Sequence, residues 1–220
     1  MADTAIFDID GTLVDNNYLH VVALYHAFRR FDITPPMWRL HRAMGMGGDH
    51  IIAHGGGDEA ERRHGSALRE AWVEEFDKVI DEVRPLDGAR DLIEAVKSRG
   101  FRVVLASSGQ SKHVEHYVDL IDVRSLADAW TSSADVESSK PEPDLVATAL
   151  DKVHGTSGVM IGDSTWDCIA ASKLGVPSLC VRTGGFSTEE LTDAGAVRVF
   201  DSLREFADKL DDTPLARSER

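Results

Sequence analysis

Apolar positions along the chain follow two rhythms, and the switch between them divides it. Ala5, Ile6, Phe7 and Ile9 form an apolar run closed by Gly11-Thr12, which predicts a short buried strand ending in a turn. Val21, Leu24, Tyr25, Phe28 and Phe31 then recur at helical spacing until Thr34-Pro35-Pro36 stops the helix. A shorter helix is expected over 38–44, followed by a glycine-rich turn, M-G-M-G-G-D-H. Gly55-Gly56-Gly57 leads into Asp58 as an N-cap, and Leu68, Ala71, Trp72, Phe76, Val79, Ile80 and Val83 mark one face of a long amphipathic helix. Trp38, Trp72 and Trp130 read as core residues. No strand pattern occurs between residues 16 and 85.

From residue 86 onward helices and strands alternate. Helices are expected over 88–99, ending at Gly100, and over 111–120, 142–153, 165–175 and 202–210. Strands are expected over 101–106, 158–161, 178–181 and 197–200, with a weaker one over 128–131. Ser187 and Glu190 form a capping-box pattern that opens another short helix. The polar tail from Asp211 is expected to fray. This alternation predicts an α/β fold, a parallel sheet with helices on both faces. Residues 1–15 and 86–220 form its core, and 16–85 an inserted helical domain.

Composition narrows the function without deciding it. A chain of 220 residues, 42% hydrophobic and 28% charged, can bury a sizeable core. The net charge of −14 argues against nucleic acid or an anionic membrane as partner, while a local positive site could still hold a small anion. No leader pattern opens the sequence and no apolar run is long enough to span a bilayer, so a cytoplasmic location is expected. The two cysteines, Cys168 and Cys180, read as buried thiols in a reducing compartment. His41, His50, His54 and His64 fit no compact metal-ligand spacing.

The candidate chemistry lies where predicted strands end. Asp8 and Asp10 leave the first strand on the same side, and two carboxylates so close need a cation, a proton or hydrogen bonds to offset their charge. Ser107-Ser108-Gly109 offers a hydroxyl and backbone N–H groups leading into a helix, a ready anion site, although serine and glycine fill ordinary turns as well. Lys140 precedes a proline-stiffened helix start, where a lone lysine is usually solvated. Gly162-Asp163-Ser164-Thr165-Trp166-Asp167 adds an acidic pair that could equally cap a helix. Together they supply carboxylates for a hard divalent cation, donors for a phosphate and a cation to neutralise it. In sheets of this kind ligands bind beyond the carboxyl ends of the strands.

In that order, D-I-D-G-T-L-V-D, A-S-S-G, S-S-K-P-E-P-D and I-G-D-S-T-W-D resemble the four motifs of the haloacid dehalogenase-like (HAD) superfamily. The helical insertion resembles the cap of the subgroup containing phosphoglycolate phosphatase and β-phosphoglucomutase. The resemblance implies a Rossmann-like parallel sheet core with an inserted α-helical cap. It implies Asp8 as nucleophile and Asp10 as general acid/base. Lys140 would hold both the phosphoryl group and Asp8. Ser107, Ser108 and Gly109 would bind the phosphate together with Gly11 and Thr12 in the first turn. Mg2+ would be held by Asp8, the Asp10 carbonyl and Asp163, with Asp167 as a further contact.

Asp10 also separates reaction classes. By the same resemblance, dehalogenating relatives lack an aspartate there, and phosphonate-cleaving relatives carry alanine there and a Schiff-base lysine in the cap. Here the insertion holds a single lysine, Lys78. The expected function is a Mg2+-dependent phosphatase acting on a small phosphorylated metabolite through an aspartyl-phosphate, as monomer or homodimer. The alternatives are a β-phosphoglucomutase-like phosphomutase, a family hydrolase of other specificity, and a binding protein that has lost turnover. Arg39, Arg42, Gly47, Gly48 and His50 are the expected specificity residues. The mutase relatives usually carry a basic residue in this loop, where the present chain has Gly47-Gly48-Asp49.

Overall fold

The computed structural model describes residues 2–216. The first apolar run forms β1 (Thr4–Asp8), buried throughout, and after the turn comes the two-residue strand β2 (Val14–Asp15). Helices α1 (Asn17–Arg29), α2 (Met37–Arg42), α3 (Gly48–Gly56) and α4 (Asp58–Asp77) follow. Strand β3 (Arg84–Pro85) then pairs antiparallel with β2, so the chain enters and leaves the helical segment through one ribbon.

The remaining elements alternate: α5 (Ala89–Ser98), β4 (Arg102–Ala106), α6 (Ser111–Leu120), β5 (Ala129–Thr131) and α7 (Asp144–Lys152). They continue as β6 (Gly158–Gly162), α8 (Thr165–Ser172), β7 (Ser178–Val181), α9 (Thr188–Asp193), β8 (Ala196–Phe200) and α10 (Leu203–Asp208). Six strands form a single parallel sheet in the order β5-β4-β1-β6-β7-β8.

Alternation along β1 feeds both faces. Ala5 and Phe7 pack with Leu92, Val118 and Phe206 of α5, α6 and α10, whereas Ile6 packs with Leu145, Val146 and Ala170 of α7 and α8. Phe7 is wholly buried, and truncating such a side chain to alanine costs about 3–5 kcal/mol. β1 lies between β4 and β6, where the chain reverses its direction of travel across the sheet. That switch point opens a crevice beyond the strand ends.

The helical segment has its own apolar cluster of Val21, Leu24, Phe28, Leu40, Ile51, Ile52 and Leu68. Here the structure departs from the sequence pattern. The stretch expected to be a turn becomes the start of α3, which runs through Gly55 and Gly56. These glycines permit close packing: a Cβ at Gly55 would meet Leu40 at 2.7 Å, and one at Gly56 would collide with the Phe28 ring. The long helix stops at Asp77, short of Val83, and a 3-10 turn over Ile80–Glu82 leads to the ribbon. Trp38 is 69% exposed rather than core. Past α10 the chain stays ordered through a 3-10 turn at Leu210–Asp212 and a fully buried Leu215, while residues 217–220 of the expected frayed tail lie outside the described residues. Cys168 and Cys180 are free buried thiols with Sγ atoms 3.3 Å apart. Among the described residues no helix is long and apolar enough to cross a membrane.

Candidate active site

The strand ends bring Asp8, Lys140, Asp163 and Asp167 into one buried network. Lys140 Nζ donates to Asp8 Oδ1 and to Asp167 Oδ1, each at 2.8 Å, and all three side chains are at most 2% exposed. Asp167 also closes the capping box of α8, its Oδ2 accepting from the Ser164 amide and hydroxyl. Asp163 accepts from Thr12 Oγ1 and Asn17 Nδ2, both at 2.9 Å. Asp8 Oδ2 is buried without a hydrogen-bond partner among the described residues.

The electrostatics show an excess of negative charge. Burial pushes the Asp8 carboxyl well above its usual range; Lys140 opposes the rise, and Asp167, Asp163 and Asp10 add to it. Burial, then repulsion from Asp167, pushes Asp163 up to about 7. Burial would lower the Lys140 ammonium, but attraction to Asp167 and Asp8 outweighs it and holds the group charged. One ammonium therefore serves three carboxylates. Oxygens of Asp8, Asp163 and Asp167 lie within 4.8 Å of one another, a hard-oxygen donor set that suits a divalent cation of the Mg2+ type.

Asp10 stands apart from that cluster, at the edge of the cavity. Asn16 Nδ2 donates to its Oδ1 at 2.6 Å and Ser107 Oγ to its Oδ2 at 2.9 Å, with His20 Nε2 3.5 Å away. Burial pushes this carboxyl up, but hydrogen bonds from His20, Asn16 and Ser107 outweigh it and hold Asp10 below the ordinary range. His20 is fixed in turn by stacking on Phe76, ring centroids 3.6 Å apart.

A cavity of about 490 Å3 opens from Asp8, Asp10 and Lys140 toward the helical segment. Ser108, Gly109, Gly47 and Gly48 line it. Other expected residues do not. Ser107 is buried beneath, pointing its hydroxyl at Asp10 and accepting from the Gly109 amide. Thr12 is engaged with Asp163, and the Gly11 amide donates to Asn16 Oδ1, so neither faces the cavity as a phosphate donor. Gly11 holds the turn at φ +73°, where an added Cβ would strike Asn17 and Asp163.

Arg39, Arg42 and His50 also lie away from the cavity. Arg39 is exposed; Arg42 pairs with Glu190 and lies 4.0 Å over the Phe186 ring, docking the helical segment on the core; His50 turns to Asp49 at 3.3 Å. The sequence pattern did not single out Asn16, Asn17 or His20, and it placed Asp49 only beside the glycine-rich turn. Asp49 accepts from the amide of Ser139 at 3.0 Å and from its hydroxyl, which anchors α3 beside Lys140. For Asn16 and Asn17 the one local signal is the polar run Asp15-Asn16-Asn17 directly after the first motif.

A parallel α/β sheet with a buried acid cluster at its switch point and helices folded over it is the architecture of an α/β protein that binds its ligand beyond the strand ends. The sequence profile of the haloacid dehalogenase-like hydrolases matches residues 5–181, and the chain belongs to that family. It is 26% identical over 207 residues to the phosphoglycolate phosphatase of Caulobacter vibrioides, covering 91% of this chain and 87% of that one. It is 24% identical over 190 residues to the pyrophosphatase PpaX of Bacillus cereus, covering 81% and 82%. A hydrolase from Pseudomonas syringae superposes with a TM-score of 0.87 at 27% identity, over 95% of this chain and 98% of that one.

Proposed function

We propose that the protein is a phosphatase that hydrolyses a small phosphorylated metabolite through an aspartyl-phosphate on Asp8. The observation that carries this reading is the buried Asp8 carboxylate, with one oxygen held by Lys140 and the other unpartnered beside the cavity. The phosphatase and pyrophosphatase names of the relatives agree with it.

Lys140 fixes Asp8 through Oδ1 and leaves Oδ2 as the attacking atom, while its charge reduces repulsion between carboxylate and phosphate. Attack by Oδ2 on phosphorus forms the acyl-phosphate bond as the ester oxygen departs; Asp10, two residues on and ionised in the free protein, takes up a proton from the incoming phosphate monoanion and passes it to that oxygen. Asp10 then takes a proton from the water that attacks phosphorus, which releases phosphate and restores Asp8. Asp8, Asp163 and the Asp10 carbonyl, with Asp167 near, would hold Mg2+, which supplies charge neutralisation of the phosphate oxygens when bound. Ser108 and Gly109 line the same end and offer phosphate donors. Residues 16–85 act as the cap and the β2–β3 ribbon as its hinge. Closure over the cavity excludes water during transfer to Asp8.

Cavity chemistry favours hydrolysis over the mutase alternative. Among the described residues, the only Lys or Arg lining the cavity from the cap is Arg69, already paired with Glu61, so a second phosphate has no free cation to hold it during reorientation.

The test is phosphate release across a panel of phosphorylated metabolites, with and without chelator. Release that EDTA abolishes and Mg2+ restores is expected, with Ca2+ a poor substitute because its looser coordination suits the site less well. Undiminished release by metal-stripped protein would refute the metal assignment, and positional isomers without free phosphate would establish a mutase.

A further inference from the structure

Away from Asp8 the cavity is walled by one face of α4. Arg69, Trp72, Val73 and Phe76 follow each other at helical spacing along it. Met46 and Val136 contribute further apolar lining. The charged groups here are the carboxylates of Asp49, Glu61 and Glu137 and a single guanidinium, Arg69.

The charge of that guanidinium is already paired with a carboxylate. Its Nη1 donates to both Glu61 oxygens, at 2.9 and 2.8 Å, and to the Gly48 carbonyl at 3.2 Å. Glu61 reaches Arg69 from two turns away by lying over Gly65, where any Cβ would collide with its carboxylate. A buried glycine in mid-helix costs about 1 kcal/mol against alanine, so this arrangement carries a standing penalty. The remaining guanidinium edge, Nε and Nη2, has no protein acceptor among the described residues and can donate to uncharged oxygens such as hydroxyls.

Resting on the phosphatase reading, we propose that the Glu61–Arg69 pair and the Trp72–Val73 stripe select phosphomonoesters whose far end is uncharged and partly apolar. Glu61 is the specificity-determining residue: by neutralising Arg69 it leaves the cap end of the cavity negative and repels a second anionic group. The volume of about 490 Å3 leaves room for a tail well beyond two carbons.

Near-isosteric pairs differing in one anionic group test this: glycerol 3-phosphate with 3-phosphoglycerate, and a hexitol 6-phosphate with the 6-phosphate of the corresponding aldonic acid. Affinity is measured by calorimetry on the Asp8→Asn protein with Mg2+, and kcat/KM on proteins with Asp8 intact. The member whose far end is uncharged is expected to bind more tightly in each pair. Glu61→Gln is expected to shift the ratio toward the anionic member by about tenfold or more, through KM rather than kcat, since it removes one charge close to the tail. Gly65→Ala, which displaces the Glu61 carboxylate without deleting it, is expected to shift the ratio the same way. Preference for the anionic member in the unsubstituted cap, a ratio that Glu61→Gln moves by less than about twofold, or no binding by any member would overturn the proposal. Ranked binding without phosphate release would overturn hydrolysis alone.

Discussion

At the core end of the cavity Lys140 holds two carboxylates at 2.8 Å, with all three groups almost wholly buried. At the cap end Arg69 holds one carboxylate at the same distance, but both partners are about a third exposed. The first arrangement is costly, because desolvating three charges is repaid only by tight mutual contact. The second is cheap and adjustable, because solvent screens it. The core end can therefore fix one reaction geometry, whereas the cap end can set which molecule arrives and change with little loss of stability.

Substitutions at the two ends should differ accordingly. Asp8→Asn removes the nucleophile while keeping its shape, so kcat should fall by about 10^4-fold or more with an unchanged circular dichroism spectrum. Lys140→Met should abolish turnover too, but through a different signature. It leaves Asp8 and Asp167 buried without their cation, and urea unfolding should show a loss of about 3–5 kcal/mol. Equal stability of Lys140→Met and the unsubstituted protein would mean that the network is not under the electrostatic load described.

At the cap end Asp49→Ala removes the anchor between an exposed Asp49 and a buried Ser139. Loss of about 1 kcal/mol of closure free energy is expected. That is about a fivefold rise in KM with kcat little altered. A matching fall in kcat would place Asp49 among the groups that position Lys140.

The smallest effect on turnover belongs to a carboxylate remote from both ends, which acts on stability alone. Burial raises Asp3, but hydrogen bonds from Thr4, Thr156 and Ser157 outweigh it and hold its carboxyl well below the ordinary range. A depressed carboxyl stabilises the fold above its unfolded pKa and loses that contribution as pH falls through the folded one. Asp3→Asn should cost about 1–2 kcal/mol in urea melts at pH 7. The difference should hold down to about pH 5 and shrink in more acidic solution. A penalty that grew with acidity would reverse the assignment.

The two ends were also unequally legible in the sequence. Asp8, Lys140 and Asp163 each end or follow a predicted strand or loop, and a parallel sheet brings such ends together whatever the details. The sheet itself followed from apolar runs separated by helical spacing. The cap end depends on contacts between distant residues that no local pattern signals: Asp49 with Ser139, Asn17 with Asp163, Glu61 with Arg69. Glycines misled as well. Those around residue 47 read as a turn and those at 55–57 as the lead into the next helix, yet they open and close α3, because Ser139 packs where a Gly47 side chain would be and Leu40 and Phe28 where those of Gly55 and Gly56 would be. Arg42 and His50 looked like substrate ligands because charge beside glycine resembles a binding loop. One docks the segment on Glu190 and the other turns to Asp49.

The central claim is that the unpartnered oxygen of Asp8 attacks phosphorus. Rapid acid quench during turnover of a substrate labelled in its phosphoryl group, followed by peptide mapping, tests it directly. The prediction is a transient acyl-phosphate, labile to hydroxylamine, on the peptide carrying Asp8 and absent from Asp8→Asn. Turnover with no labelled peptide, together with retained activity in Asp8→Asn, would contradict it.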